Sequence, residues 1–223
     1  MSADNLKTMR DILIDGIYEK MKEREDVFFV SADFGAPSLD KLREDFKDRF
    51  TNVGIAEQNL VNIATGIALE GNVAYAYAIA PFVTMRGYEQ IRQSLAISSQ
   101  VNPINVNIVG VGAGLSYQVA GPSHHCLGDI SIMRLFPNFT VFSPSDGNLV
   151  RKFVDYSIDK NGPKYLRLDG KLTSQIYKNI DDFDFEKGFY ELVKGDDICL
   201  VSTGYSTHVA LEAARENSNI GII

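Results

Sequence analysis

Short apolar runs alternate with amphipathic segments along most of this chain. Met9, Leu13 and Ile17 recur at helical spacing, and the next run, residues 26–31, is apolar at nearly every position. The first pattern predicts an amphipathic helix and the second predicts a buried strand. Repetition of this pair with short connections predicts an α/β fold, with a mainly parallel sheet flanked by helices on both faces.

The alternation continues through residue 170. Besides a short strand just before Glu57, the predicted strands are residues 26–31, 73–79, 104–109, 139–143 and 164–168. The predicted helices are residues 4–24, 37–46, 57–70, 88–98, 129–136 and 146–159. A glycine-rich stretch, residues 110–114, is expected to be irregular, and it lacks the lysine and the immediate helix of a phosphate-binding P-loop.

Ligands of open α/β sheets bind beyond the carboxyl ends of the strands. Asp33, Glu57, Phe82 and the loop of residues 112–124 all follow such ends in the predicted sheet. We therefore expect these residues to converge on one ligand-binding edge.

Changes in composition predict three parts of unequal size. Residues 1–170 are expected to form one domain, and residues 171–188 a polar connector. Residues 189–223 are expected to open a second α/β domain, with strands near residues 198–202 and 220–223. Two strands leave an apolar edge with few partners, so we expect this domain to be truncated or completed by another chain.

The overall composition excludes several classes of protein. The 223 residues are 45% hydrophobic and 23% charged, which is ordinary for a soluble globular protein. A net charge of −7 without a basic cluster argues against nucleic-acid binding. No apolar run approaches the roughly 20 residues that span a bilayer, and no signal-peptide pattern is present, so we expect a cytoplasmic protein with no membrane partner.

The chain has two cysteines, Cys126 and Cys199, too few to suggest a disulfide framework. Cys199 stands in an apolar run and is expected to be a buried strand residue. Cys126 follows His124 and His125, but three adjacent loop residues without a fourth ligand disfavour a metal site.

Glu57 has the most informative setting in the sequence, at the start of a predicted helix behind a short strand. A helix N-terminus has unpaired N–H groups and a partial positive charge, so a carboxylate there is held ionised and directed beyond the strand end. One interpretation is that Glu57 only caps the helix. The residues around it favour another interpretation.

Gly54-Ile55-Ala56-Glu57-Gln58-Asn59 resembles the signature of the pyrimidine-binding domain of transketolase-like thiamine diphosphate enzymes. The resemblance runs from about Arg10 to the end of the chain, and it is also carried, in the family's order, by Ser31-Ala32-Asp33, Arg86-Gly87-Tyr88-Glu89-Gln90-Ile91-Arg92, Gly121-Pro122-Ser123-His124, Leu135-Phe136-Pro137-Asn138 and Val141-Phe142-Ser143-Pro144-Ser145-Asp146. It implies that Glu57 hydrogen-bonds N1′ of the cofactor's aminopyrimidine and promotes loss of the proton from thiazolium C2. Amino-acid side chains cannot supply the resulting carbon nucleophile.

The same resemblance implies further roles. It places the Phe82 ring against the pyrimidine and Asp33 in the cofactor pocket. His124 corresponds to a histidine that contacts the substrate oxygen and shuttles protons, a task that suits imidazole. Arg10 and Ser38 match positions that bind the sugar phosphate, for which an arginine fork is well built. Structural roles for Phe82 and His124 and a solvated Arg10 are the alternatives.

The chain departs from the family pattern in the substrate pocket. Ala120 stands where an acid usually binds a substrate hydroxyl, Gly112 where a histidine is common, and Gly170 where an arginine binds phosphate. The resemblance therefore implies that cofactor activation is retained while the acceptor pocket is altered. We expect a substrate other than the usual pentose phosphates.

The chain also lacks the Gly-Asp-Gly motif and the later asparagine pair with which this family holds Mg²⁺ and the cofactor's diphosphate. The resemblance therefore implies a partner, namely a diphosphate-binding subunit that corresponds to the N-terminal part of a transketolase and supplies the metal ligands. We expect a homodimer or a heterotetramer.

These features favour the C-terminal subunit of a split transketolase, which transfers a two-carbon ketol unit between sugar or sugar-phosphate substrates. One alternative is a decarboxylating subunit like those of 2-oxoacid dehydrogenases or deoxyxylulose-phosphate synthase, which residues 86–90 favour and residues 121–124 disfavour. Another is a non-catalytic oligomerisation or regulatory module, against which the retained Glu57 argues.

Overall fold

The computed structural model describes residues 7–177, 183–217 and 219–223. Its centre is a six-stranded sheet with the order β2-β1-β3-β4-β6-β5, in which every pairing is parallel. The strands are β1 (Val27–Ser31), β2 (Phe50–Asn52), β3 (Val73–Ile79), β4 (Asn105–Val111), β5 (Thr140–Phe142) and β6 (Lys164–Leu168). The predicted α/β fold with a mainly parallel sheet is confirmed.

Helices connect the strands and cover both faces of the sheet. They are α1 (Met9–Glu23), α2 (Leu39–Asp45), α3 (Glu57–Leu69), α4 (Ala80–Arg86), α5 (Tyr88–Gln90), α6 (Ser98–Val101), α7 (Asp129–Met133) and α8 (Gly147–Asp159). A π-helical segment, Ile91–Ile97, joins α5 to α6. Side-chain caps fix two helix starts, since Thr8 accepts from the Asp11 backbone N–H and Asp146 from that of Leu149.

Several predicted boundaries differ from the structure. The helix α4 was not predicted, although Pro81 near its start is well suited to the first turn of a helix. The strand predicted over residues 104–109 continues to Val111, and the helix predicted over residues 129–136 ends at Met133. The first three residues of the helix predicted over 4–24 lie outside the described residues.

The sheet separates two apolar clusters. On one face, α1 and α8 pack against the sheet through residues such as Leu13, Ile17 and Phe153, all buried. On the other face, Leu60 and Ile91 belong to a cluster formed with α3, α4 and the π-helical segment. Burial of these side chains supplies the main stabilising free energy of the domain.

A lysine is buried at the amino end of β6. The Nζ of Lys164 donates to Asn105 Oδ1 and to the Gly162 carbonyl, each at 2.9 Å, and to the Lys160 carbonyl. Burial, with a smaller effect of the Lys160 charge, lowers the pKa of Lys164 to about 7.

The strand order of the sheet reverses at one point. The chain leaves β1 to form β2 on one side and later returns to form β3 on the other, so the order reverses at β1. Crevices outside the carboxyl ends of strands at such a reversal are the usual ligand sites of open α/β sheets.

The rest of the chain packs against this domain. Residues 171–177 and 183–188 form neither helix nor strand, and residues 178–182 of the predicted connector lie outside the described residues. Asp146 Oδ2 accepts from the backbone N–H groups of Ile176 (2.7 Å) and Tyr177 (3.0 Å), so the connector is docked on the domain.

A small two-stranded parallel sheet follows the connector. It consists of β7 (Ile198–Leu200) and β8 (Ile220–Ile222), with α9 (Ser206–Glu216) between them. The expectation that Cys199 is buried is wrong, because β7 has only one neighbour among the described strands and the Cys199 side chain is exposed. None of the helices in the described part of the chain has the length and hydrophobicity of a membrane-spanning segment.

Candidate functional site

Glu57 is a buried carboxylate at the first turn of α3, directly behind the end of β2. Its side chain is 5% exposed, and Arg86 Nη1 donates to both of its oxygens, at 3.0 and 3.2 Å. The N-cap residue Ala56 makes no side-chain hydrogen bond, so no side chain caps this end of α3. The carboxylate is thus held by a side chain from another helix.

Aromatic rings continue the site from Arg86. The Arg86 guanidinium carbon lies 4.2 Å from the centre of the Phe82 ring, a cation–π contact between residues one turn apart on α4. The ring centres of Phe82 and His124 are 5.0 Å apart in an edge-on arrangement. The structure therefore brings three predicted site residues, Glu57, Phe82 and His124, into one continuous array.

Gly87 sets the close approach of α3 and α4. A Cβ atom at this position would lie 2.8 Å from the Val83 carbonyl oxygen and 3.3 Å from that of Glu57. Both atoms are backbone, so neither can move aside easily. The missing side chain lets Arg86 reach Glu57.

The loop that carries His124 rests on a buried polar cluster. Gly114 and Cys126 pair through backbone hydrogen bonds of 3.0 and 2.8 Å. Below them, Asp129 Oδ2 accepts from Arg167 Nε at 2.7 Å and from the Tyr165 hydroxyl at 2.8 Å. Burial and then the adjacent Asp129 charge raise the pKa of the Cys126 thiol to about 12.

Asp33 lies at the carboxyl end of β1, where it closes the β1–β2 corner. Its backbone N–H donates to Asn52 Oδ1 at 3.0 Å, and Asn52 Nδ2 donates to Asp33 Oδ1 at 2.9 Å. Its backbone has a φ of 53°, in the region that non-glycine residues seldom adopt. The paired Asn52 amide holds Asp33 in this unusual conformation at the predicted edge.

Arg10 and Ser38 meet at a carboxylate that the sequence did not single out. Asp11 Oδ1 accepts from the Ser38 hydroxyl at 2.8 Å and lies 3.1 Å from Arg10 Nη2. Burial raises the pKa of Asp11, but hydrogen bonds from Thr8, Ser38 and Arg10 outweigh it and hold the pKa below its usual value. Arg10 and Ser38 are therefore close together, with Asp11 between them.

Tyr117 fills the space beside two of the glycines that depart from the family pattern. A Cβ on Gly112 would lie 2.1 Å from a carbon of the Tyr117 ring, and a Cβ on Gly170 would lie 3.3 Å from another. Gly112 also has a φ of 90°, which favours glycine. Burial raises the pKa of the Tyr117 hydroxyl, while the nearby charge of Arg10 lowers it by less.

The site fits the aminopyrimidine of thiamine diphosphate, but it lacks the side chains that would hold the diphosphate and its Mg²⁺. A buried carboxylate and an aromatic ring that both contact the flat Arg86 guanidinium also suit another flat, hydrogen-bonding group, such as an aminopyrimidine. Within residues 7–177, 183–217 and 219–223, no group of three or more His, Cys, Asp or Glu side chains is placed to hold a metal ion. These residues do not fit Mg²⁺ and a diphosphate.

Comparison with known proteins gives consistent matches. The family model described as transketolase, pyrimidine binding domain, matches residues 6–175. A protein of Actinobacillus succinogenes named as a subunit of apulose-4-phosphate transketolase is 36% identical over 220 residues, which cover 98% of this chain and 69% of that protein. The 6-deoxy-6-sulfo-D-fructose transketolase subunit SqwH of a Clostridium species is 29% identical, with coverages of 96% and 65%.

A solved structure agrees with these sequence matches. The structure described as a split gene transketolase, inactive β4 tetramer, superposes with a TM-score of 0.82 at 30% identity. The superposition covers 96% of this chain and 70% of that one.

The fold and the matched domain define the pyrimidine-binding part of a thiamine diphosphate-dependent enzyme. The chain belongs to the transketolase family, and the relatives named as subunits identify it as the C-terminal subunit of a split transketolase, a transferase. The predictions of family, function and enzyme class are confirmed. The same relatives imply a partner subunit and an oligomer.

The sequence did not predict four of the residues that shape the site. Arg86 stands in a family motif without an assigned role, although its spacing from Phe82 places both on one helix face. Asp11 and Tyr117 carried no signal of their own. Asp129 stands at the start of a predicted helix, which gives no sign that the structure buries it as the acceptor of Arg167.

Proposed function

We propose that this chain binds the aminopyrimidine of thiamine diphosphate through Glu57 and Phe82 and works with a partner subunit to transfer a two-carbon ketol unit between sugar-like substrates. The observation that carries the proposal is the buried Glu57 carboxylate, linked through Arg86 to the Phe82 ring, at the carboxyl ends of β2 and β3. When bound, the cofactor supplies a carbon nucleophile that no side chain offers.

Glu57 holds and moves one proton in this proposal. Its carboxylate lies in a site of low solvent exposure at the N-terminus of α3, where the helix dipole favours negative charge. It exchanges a proton with N1′ of the aminopyrimidine, while Phe82 orients the ring. Asp33 lines the same edge and completes the pocket with the Asn52 amide.

His124 is the proton carrier on the substrate side. Its ring packs edge-on with that of Phe82, and Ser123 Oγ lies 3.1 Å from its Nδ1, which orients the imidazole. An imidazole can donate a proton and accept one, so it suits the repeated protonation of substrate oxygens.

Arg10 and Ser38 bind the end of the sugar that is distal to the cofactor, and the Tyr117 ring lies beside that end. The names of two relatives include a sugar phosphate and a sulfo sugar, which supports an anionic group at the distal end of the substrate. Asp11 already engages both residues, so an anion there must share their hydrogen bonds with a carboxylate. We infer a substrate different from the usual pentose phosphates.

The proposed partner is a diphosphate-binding subunit that supplies the Mg²⁺ ligands, in a homodimer or heterotetramer in the cytoplasm. Large apolar side chains near the site support a covering chain. Ile55 is 76% exposed, Leu127 71% and Met85 54%. Exposed apolar groups that surround a polar site are typical of protein interfaces.

The test is reconstitution with the product of a gene that encodes a diphosphate-binding transketolase subunit. Ketol transfer from hydroxypyruvate or a ketose phosphate is measured with thiamine diphosphate and Mg²⁺ present. Glu57→Gln should abolish transfer, and Glu70→Gln, an exposed acid at the other end of α3, should leave it intact. Normal turnover by Glu57→Gln would refute the proposal.

A further inference from the structure

The Arg86 side chain makes the two contacts that the proposed function assigns to the cofactor's aminopyrimidine. Its guanidinium donates to both oxygens of Glu57 and lies 4.2 Å from the centre of the Phe82 ring. A guanidinium is flat, delocalised and rich in N–H donors, so it can stack on a ring and hydrogen-bond at its edge at the same time.

We propose that Arg86 is a positioning residue that occupies the aminopyrimidine's place until the cofactor displaces it. This inference rests on the proposed function. A heterocycle that stacks on the same face of Phe82 and hydrogen-bonds to Glu57 needs the volume that the guanidinium fills. Both groups cannot be bound together.

The surroundings of Arg86 suit a side chain that holds Glu57 and then leaves. Glu57 is almost fully buried, so an ionised carboxylate there requires a partner. The Arg86 side chain is 51% exposed, so it reaches water by a change of rotamer without breaking packed structure. In this ion pair the Glu57 carboxylate is therefore buried, and the Arg86 side chain is accessible to water.

The position of Arg86 on α4 favours this exchange. Phe82 and Arg86 lie one turn apart, and Gly87 removes the side chain that would separate α4 from the Glu57 backbone. The other arginine of the helical segments from α3 to α6, Arg92, does not share these contacts. It pairs with the exposed Glu89 one turn away.

The cofactor should bind faster when Arg86 is replaced by a residue that has neither the charge nor the planar group of a guanidinium. The complex with its partner subunit is mixed with thiamine diphosphate and Mg²⁺, and the association rate is measured by stopped flow. Arg86→Gln, which keeps an N–H donor for Glu57, should raise the rate roughly tenfold, the scale of one ion pair combined with one cation–π contact. The matched control Arg92→Gln should leave the rate unchanged.

A second variant tests the same idea with the charge retained. Arg86→Lys keeps the cation near Glu57 but removes the flat group over Phe82, so its association rate should fall between those of the wild type and Arg86→Gln. It is the informative variant if Arg86→Gln does not fold.

The outcomes separate this inference from the proposed function. If the wild-type complex binds thiamine diphosphate and the Arg86 variants bind it at the same rate or more slowly, Arg86 does not compete with the cofactor and the inference is wrong. If the wild-type complex binds no thiamine diphosphate, the proposed function itself is wrong. Faster binding by the Arg86 variants with unchanged binding by Arg92→Gln supports both.

Discussion

Replacing Arg167 with methionine should destabilise the chain strongly, because it leaves the buried Asp129 carboxylate without its cation. The Asp129 side chain is 1% exposed and the Arg167 side chain 16%, and Nε donates to Oδ2 at 2.7 Å. Removal of one partner from such a buried pair costs about 3–5 kcal/mol. The Tyr165 hydroxyl, which also donates to Asp129, offsets only part of this loss.

The assay is urea unfolding followed by circular dichroism. Arg167→Met should lower the free energy of unfolding by about 3 kcal/mol or more. The double variant Asp129→Asn/Arg167→Met should regain at least about 1 kcal/mol, because no unpaired charge remains and asparagine still accepts from Tyr165. The control is Arg134→Met, because Arg134 is an exposed arginine directly after α7. It should change the free energy of unfolding by less than about 0.5 kcal/mol.

Two results would refute this reasoning. A loss of less than about 1 kcal/mol in Arg167→Met would show that Asp129 does not depend on the arginine. A double variant no more stable than Arg167→Met would show that the unpaired charge is not the cause. Because Asp129 lies beneath the loop of His124, we also expect Arg167→Met to weaken activity in the assembled enzyme.

Three further predictions address other parts of the fold. Gly87→Ala forces a Cβ against two backbone oxygens and should lower kcat/KM by on the order of tenfold to a hundredfold. The control Gly66→Ala in α3, where nothing lies within 4 Å, should keep its activity and raise the free energy of unfolding by about 0.5 kcal/mol. Equal activities of the two variants would contradict this prediction. The pKa of Lys164 is lowered from 10.5 to about 7, so between these pH values the unfolded chain binds more protons than the folded chain. The free energy of unfolding should therefore rise by about 2 kcal/mol from pH 7 to pH 9. Lys164→Met should lack this rise in urea titrations, and a wild type without it would show that Lys164 stays charged when folded. A thiol reagent at pH 8 should modify the exposed Cys199 rapidly and the buried Cys126 only after unfolding, and rapid reaction of both would show that the loop of Cys126 opens.

The sequence predicted the parallel sheet and the strand ends that form the site because both depend on local patterns. Buried strands such as Val73–Ile79 are apolar at almost every position, and Glu57 follows a strand at a helix start. The resemblance to a known family then added the chemistry of Glu57 and the need for a partner. Neither step required knowledge of distant contacts.

The residues that the sequence missed depend on such contacts. Arg86 and Glu57 are 29 positions apart and meet only because α3 packs against α4 at Gly87. The glycines at 112 and 170 indicate lost contacts to the substrate, whereas only the folded chain shows that the Tyr117 ring fills the space beside both of them. A local pattern predicts which side chains are available, whereas tertiary packing decides which of them pair.

The proposed function assigns to Glu57 the control of the proton equilibrium of the cofactor's aminopyrimidine. This role can be measured as the rate of hydrogen–deuterium exchange at thiazolium C2 of thiamine diphosphate bound to the complex of this chain with its partner subunit. Exchange should be much faster than in free thiamine diphosphate for the wild type and for Glu70→Gln, and near the free rate for Glu57→Gln with the cofactor still bound. Fast exchange in Glu57→Gln would show that Glu57 does not control this proton.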